Sequence, residues 1–235
     1  MEAIFSFFIA LLMAMFGFSP EESAPPADLH SPLYLEGVET DDVVRYWCEV
    51  CLDAEFVHAG DPSRLQRWET PIRYQILGAP TQDDMDTLES FCQWLNTIEG
   101  FPGIRQCTGD EEANLQIHFL DKDAYLALMG ESFANTDGGV TFWYNNDRIY
   151  DGTIGIRTDL DQALRNSVIL EELYNGLGPI QDTSLRPDSI IYSGFSQPQQ
   201  LTAMDELILR LLYHPRMECG MDPEACREVI AALYY

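Results

Sequence analysis

The feature that most constrains the fold is the stretch Val168–Asp182, VILEELYNGLGPIQD, in which a helix ends at a sharp turn. Helical spacing places Glu171 and Asn175 on one face, one turn apart, and Glu172 lies beside them. Gly178 then ends the helix. The spacing predicts a cluster of polar side chains around one helix end, and its members are Glu171, Glu172, Asn175, Gln181 and Asp182.

The regions before and after this stretch carry helix and strand patterns in an order that indicates an α+β domain with one mixed sheet. Predicted helices cover Val43–Cys51, a segment from Thr81 to near Gly100, Asp121–Met129, Asp159–Leu177, Thr202–Tyr213 and Pro223–Leu233. Predicted strands cover Thr70–Leu77, Gly103–Thr108, Asn114–Leu120, Gly138–Tyr144 and Thr153–Thr158, the last two around a turn at Asn145–Arg148.

The N-terminal segment is typical of a secretory signal. Residues 1–19 contain the 15-residue apolar run Ile4–Phe18, which is short for a membrane span. We therefore predict a signal peptide, with an uncleaved N-terminal anchor or a buried helix as the alternatives. Residues 20–32 are rich in proline and predict a linker, which leaves 33–235 as the folded domain. The expected location is secreted or periplasmic.

The charge balance limits the classes of partner. The chain has 13 Lys and Arg residues against 39 Asp and Glu residues, a net charge of −26. Binding to nucleic acid needs clustered Lys and Arg to displace phosphate counterions, and binding to anionic lipid needs the same charge. We therefore expect no nucleic-acid partner and no membrane contact beyond the N-terminal anchor.

The polar helix end has the pattern E-E-x-x-N-x-x-G-x-x-Q. This pattern resembles the zinc-binding motif of metzincin peptidases, H-E-x-x-H-x-x-G-x-x-H. The three ligand positions are changed to Glu171, Asn175 and Gln181, whereas the catalytic-base position keeps its glutamate, Glu172. Downstream, Ser189–Tyr192 resembles the Met-turn beneath the zinc of that clan, with Ile191 in place of the methionine and Tyr192 after it. Leu201-Thr202, Asp205 and Leu212-Tyr213 are similar to the C-terminal helix of matrixins. The order of helix, strands, edge strand and long helix is also that of a zincin domain.

A closer resemblance is to an uncharacterised family of secreted bacterial domains and covers roughly residues 65 to 221. It is carried by Glu171-Glu172-Leu173, Leu177-Gly178, Gln181-Asp182, Ser189-Ile190 and Leu212-Tyr213-His214-Pro215-Arg216 with Gly220-Met221. His214 replaces an aspartate of that family's pattern. Together the two resemblances imply a zincin-like single domain, a long motif-bearing helix and C-terminal helices.

The chemistry of the changed residues disfavours zinc. The amide oxygens of Asn175 and Gln181 are poor ligands for Zn²⁺ but acceptable to a hard cation such as Ca²⁺. The chain has four histidines, and none of them forms a pair spaced four residues apart. We therefore predict no cofactor and leave the metal open, with a hard cation as the alternative.

Three interpretations of the polar cluster remain. The first is an atypical hydrolase in which Glu172 acts as general base, with Glu171 and Asp182 nearby and with or without a hard cation. The second is a peptidase-like domain that has lost its chemistry and binds a peptide or protein along an edge strand, Gly138–Tyr144. The third is a structural role, in which Glu172 neutralises buried backbone groups. The second is preferred here, as a binding or non-hydrolytic descendant of a zincin.

The six cysteines favour an oxidising compartment and three local disulfides. The expected pairs are Cys48 with Cys51, Cys92 with Cys107, and Cys219 with Cys226. Trp47–Cys51 also resembles the W-C-x-x-C of thioredoxin-type proteins, which leaves a periplasmic thiol–disulfide function or a metal site through Cys48 and Cys51 as distant alternatives. The aromatic run Phe142–Tyr144 predicts strand packing, with a stacking platform for sugars or peptides as the alternative.

Overall fold

The computed structural model of the protein describes residues 33–52, 63–179 and 181–234. All of them belong to one compact unit, Pro32–Tyr235. The predicted signal or anchor segment 1–19 and the whole of the linker 20–32 lie outside the described residues, as do His30 and His58.

The described residues form six α-helices, six strands and one 3₁₀ turn at Glu131–Phe133. The helices are α1 Thr40–Leu52, α2 Gln82–Leu95, α3 Lys122–Met129, α4 Gln162–Asn175, α5 Ala203–Leu212 and α6 Pro223–Leu233. The strands are β1 Arg67–Trp68, β2 Ile72–Gly78, β3 Ile104–Gln106, β4 Leu115–Leu120, β5 Gly138–Asn145 and β6 Arg148–Arg157. Among these residues, no helix is long and apolar enough to cross a membrane.

The strands form one mixed, mostly parallel sheet in the order β3-β2-β4-β6-β5, with β1 also paired to β6. The pairs β3–β2, β2–β4, β4–β6 and β1–β6 are parallel, whereas β5 runs antiparallel to β6. Asn146 and Asp147 join β5 to β6 with positive φ angles of 50° and 61°, as a two-residue hairpin turn requires. The α+β class and the mixed sheet are therefore confirmed.

Helix α4 packs against both α2 and the β5–β6 side of the sheet. Its apolar residues Ile169, Leu173 and Tyr174 are buried because they recur at helical spacing on the core side. A buried ion pair joins α4 to α2, where Arg165 Nε lies 2.7 Å from Asp84 Oδ1. Asp84 also completes the capping box of α2 with Thr81, so one carboxylate fixes both helices.

The three predicted local disulfides are not supported, because no disulfide bond joins any two of the six cysteines. Cys48 and Cys51 lie in the last two turns of α1. The Cβ atoms of helical residues three apart are about 5–6 Å from each other, which exceeds the 3.5–4.5 Å that a disulfide needs. A helix with its cysteines near its C-terminus also differs from the thioredoxin arrangement, which places them at a helix N-terminus.

The members of the other two predicted pairs are also free thiols with other contacts. Cys92 is buried on α2 and interacts with Tyr74, and burial raises the pKa of its thiol to about 12. Cys219 donates to the backbone oxygen of Arg67, at a distance of 3.7 Å. Its predicted partner, Cys226, is instead buried on α6, which packs against α1.

Candidate functional site

Side chains from outside α4 fix the end of this helix. The indole Nε1 of Trp68 donates to the carbonyl oxygen of Gly176 at 2.8 Å, and the hydroxyl of Tyr213 donates to that of Leu177 at 2.7 Å. These two bonds satisfy carbonyls that a helix end leaves without a partner. Gly178 follows with a φ of +131°, and a Cβ atom there would lie 2.7 Å from the backbone oxygen of Gln66. The turn after the helix therefore requires glycine.

Glu172 points from α4 into the space under strand β5. Its residue is only 8% exposed. A Cβ atom on Gly138 would approach Glu172 Oε1 to 2.8 Å, so this glycine leaves room for the acid. Burial raises the pKa of Glu172 well above its usual range, and the charges of Glu171 and Asp182 add to the effect. Burial therefore favours the neutral, protonated form of Glu172.

Glu171 is less deeply placed than Glu172. Burial raises its pKa to about 8, with further contributions from the negative charges of Asp182 and Asp137. The last turn of α4 contains no basic residue, so only the negative end of the helix dipole faces these acids. The site thus concentrates acidic groups without a compensating cation among the described residues of that turn.

The amide of Asn175 links the helix to the segment after the turn. Its Nδ2 lies 3.5 Å from Asp182 Oδ1, a long hydrogen bond, while its Oδ1 is buried without a hydrogen-bond partner among the described residues. Gln181 is half-buried beside Asp182. The structure therefore brings Glu171, Glu172, Asn175 and Asp182 together, as the spacing predicts.

The predicted Met-turn residues form a buried support close to Asp182 in sequence. Ile191 is fully buried, and its carbonyl oxygen accepts from the backbone N–H of Thr183 at 2.9 Å. A single bridge pairs Thr183 with Tyr192. Ser189 donates to Asp205 at 2.6 Å and accepts from Tyr46 at 3.0 Å, which ties the turn to α5 and α1. These bonds hold the turn in a fixed place beside the segment that follows Asp182.

The outer edge of β5 has no strand partner among the described residues, although Gly138 and Gly139 at its start are buried. The backbone N–H of Arg157 donates to the carbonyl of Asp137, so residue 137 faces β6 with its hydrogen-bonding groups. In an antiparallel ladder such residues alternate, and the N–H and C=O groups of Gly138, Val140 and Phe142 therefore point away from β6. Among the described residues, no strand pairs with β5 on that side.

The three aromatic residues at the end of β5 differ in their exposure. Phe142 packs against the core, as expected for strand packing. Trp143 and Tyr144 are 49% and 50% exposed, beside a register shift in the ladder. The exposed rings form an apolar surface at the end of β5.

Three residues near the acids were not predicted from the sequence. Gly138 makes room for Glu172, Asp137 raises the pKa of Glu171, and Tyr125 lies close enough for the charge of Glu172 to raise the pKa of its phenol. The pair Gly138-Gly139 could have indicated this contact from the sequence, because glycines inside a strand often mark a close approach of another group.

No group of three or more His, Cys, Asp or Glu side chains in residues 33–52, 63–179 and 181–234 is arranged to hold a metal ion. His118 lies on β4, where its ring contacts Gln116, and His214 follows α5, so neither reaches the positions of the helix motif. The amides at two ligand positions do not fit Zn²⁺.

The fold and this helix end define an α+β domain in which a buried acid, two half-buried acids and an amide lie near a sheet edge without a described strand partner. The chain belongs to the family described as protein of unknown function (DUF2927), whose model matches residues 40–232. This span runs from the start of α1 into α6 and confirms the predicted resemblance to an uncharacterised family. No curated protein matches the sequence significantly.

Proposed function

We propose that this is a zincin-like domain that binds an extended peptide along β5 and does not hydrolyse it. The observation that carries the proposal is the open outer edge of β5, whose first residue, Gly138, lies directly over the buried Glu172. An added strand would exchange hydrogen bonds with the outward-facing backbone of Val140 and Phe142, which are half-buried, whereas Gly138 is buried. The exposed Trp143 and Tyr144 offer apolar contacts at the far end of the same edge.

The relation to zincins rests on the order of elements and the helix motif. A helix and parallel strands come first, an antiparallel edge strand and its partner follow, and the motif-bearing α4 comes next. The changed ligand positions support a descendant without the zinc chemistry, because Asn175 and Gln181 supply only neutral amide oxygens.

The acids support binding over hydrolysis. A general base must be ionised at the working pH, whereas burial raises the pKa of Glu172 well above its usual range. A protonated Glu172 instead donates a hydrogen bond, and the backbone carbonyl of a bound peptide is a suitable acceptor. The proposal needs no metal, although the buried Oδ1 of Asn175 offers one oxygen ligand to a hard cation.

Charge supports a basic peptide as the ligand. The chain carries a net charge of −26, and Asp182 lies next to Glu171 at the site. A cationic peptide would approach faster and bind more tightly at low salt than an anionic one. A secreted or periplasmic location suits such a role.

The second candidate is an atypical hydrolase, favoured by the raised pKa of Glu171, about 8, next to that of Glu172. Two neighbouring acids with raised pKa values are typical of acid–base sites. The lower pKa makes Glu171 the base and Glu172 the acid in this mechanism, which reverses the general-base role that the sequence predicts for Glu172.

One experiment separates the two candidates. Libraries of basic and acidic heptapeptides are incubated with the full chain, with and without Ca²⁺ or Zn²⁺, and binding and cleavage are followed by fluorescence polarisation and mass spectrometry. The proposal predicts that basic peptides bind and remain intact. Cleavage that is lost in Glu172→Gln would establish the hydrolase instead, and binding of neither library would reject both.

A further inference from the structure

Three cysteines meet where the first and last described helices pack together. Cys48 and Cys51 lie on one side of α1, and Cys226 lies on α6. Cys51 and Cys226 are buried with at most 1% exposure, and Cys48 is 8% exposed. Helices α1 and α6 pack against each other, which brings residues from opposite ends of the chain together.

The three sulfur groups are close enough to affect one another. Burial raises the pKa of Cys226 to about 12, and the charge of Cys48 adds to this effect. Burial also raises the pKa of Cys51 well above its usual range, with additions from Cys48 and then Cys226. Cys48 therefore interacts with both of the other cysteines.

Helix geometry excludes one of the possible pairs. The bond between Cys48 and Cys51 is disfavoured because residues three apart in a regular helix hold their Cβ atoms too far from each other. Cys226 belongs to a separate helix, and a bond from it to either cysteine of α1 leaves that helix intact. Exposure favours Cys48, which is 8% exposed against 1% for Cys51.

Cys48 is also the cysteine that a reagent can reach. It lines a surface pocket of about 360 Å³, and the other lining residues are Asp41, Val44, Arg45, Glu49 and Arg227. Arg227 directly follows Cys226, so the pocket opens at the junction of the two helices. Neither Cys51 nor Cys226 lines it.

We propose that Cys48 and Cys226 form a reversible disulfide that ties α1 to α6, with a low-molecular-weight disulfide such as oxidised glutathione as the oxidant. The Cys48 thiolate attacks one glutathione sulfur, which forms a mixed disulfide and releases one glutathione thiolate. The Cys226 thiol then loses its proton and attacks Cys48 Sγ, which releases the second glutathione. Two protein thiols are oxidised, and one glutathione disulfide is reduced to two thiols.

The test maps disulfides in the folded full-length chain. The protein is incubated with oxidised glutathione, free thiols are alkylated, and a non-reducing digest is analysed by mass spectrometry. We expect a peptide pair that joins Cys48 to Cys226. The Tm of the oxidised protein should exceed that of the reduced protein by roughly 5–15 °C.

Two serine variants control for the neighbouring thiol. Cys51→Ser should keep both the cross-linked peptide and the shift in Tm, whereas Cys226→Ser should lose both. A Cys48–Cys51 or Cys51–Cys226 bond in place of the expected one overturns the proposal, as does the absence of any disulfide. This outcome is independent of peptide binding along β5, because neither cysteine-bearing helix belongs to that edge.

Discussion

Gly138 lies so close to Glu172 that position 138 has no room for a side chain. A Cβ atom there would lie 2.8 Å from Glu172 Oε1 and 2.4 Å from Val168 Cγ1. The start of β5 and the motif-bearing face of α4 are therefore fitted to each other, and this contact joins the sheet edge to the acids.

Gly138→Ala should destabilise the protein by about 1–3 kcal/mol, because the added methyl group overpacks this contact. Urea unfolding measures the change. The matched control is Val168→Ala, which removes the methyl group nearest to the new Cβ atom. The cost of Gly138→Ala should be smaller in that background, and equal costs in both backgrounds would show that the contact is not the cause.

Glu171→Gln should stabilise the protein at high pH. Burial and the charges of Asp182 and Asp137 raise the folded-state pKa to about 8 from an ordinary value of 4.5. Between these values the folded protein binds more protons than the unfolded chain, so the free energy of unfolding falls as pH rises. The variant should gain about 4 kcal/mol at pH 8 and nothing near pH 4, as measured by urea unfolding across that range.

The control for this prediction is an acid whose pKa moves in the opposite direction. Hydrogen bonds from Arg105 lower the pKa of Glu111 to about 2, so its contribution is present above pH 4.5 and is lost as pH falls through 2. Glu111→Gln should therefore weaken the protein at neutral pH, where Glu171→Gln strengthens it. The same sign for both variants would contradict the account of Glu171.

Arg165→Met should cost about 3–5 kcal/mol, because it leaves the carboxylate of Asp84 buried without its cation. Burial would raise the pKa of Asp84, but its hydrogen bonds from Arg165 and Thr81 lower it below the usual value. Urea unfolding at pH 7 measures the loss. Arg45→Met, at the exposed pair with Asp42, is the control and should change stability little. Similar losses of stability for both variants would show that the buried pair of Arg165 and Asp84 contributes no more than an exposed one.

Local patterns were sufficient for most of the fold. The capping residues Thr81 and Asp84 predict the start of α2, and both capping bonds are present. The helix predicted at Asp159–Leu177 is observed as α4, Gln162–Asn175, because Asp161 caps its first turn. Strand β1 has only two residues, which is too short for any alternation to be recognised.

The sequence could not predict which distant residues would meet. Spacing placed Glu171 and Asn175 on one face, but the depth of Glu172 depends on Gly138, which is 34 positions earlier in the chain. The disulfide prediction favoured short loops, whereas packing of α6 on α1 places Cys226 next to Cys48. In both cases tertiary contacts between separate elements decided the outcome.

The most direct test of peptide binding along β5 compares Val140→Pro with Val140→Ala. Both variants shorten the same side chain, but only proline removes the N–H group that points to the outer edge. The peptide is the tightest basic heptapeptide from the library, and its Kd is measured by fluorescence polarisation after thermal unfolding confirms that both variants are folded. The account predicts a loss of about tenfold or more in affinity for Val140→Pro, and near wild-type affinity for Val140→Ala. Equal affinities of the two variants would contradict binding along this edge.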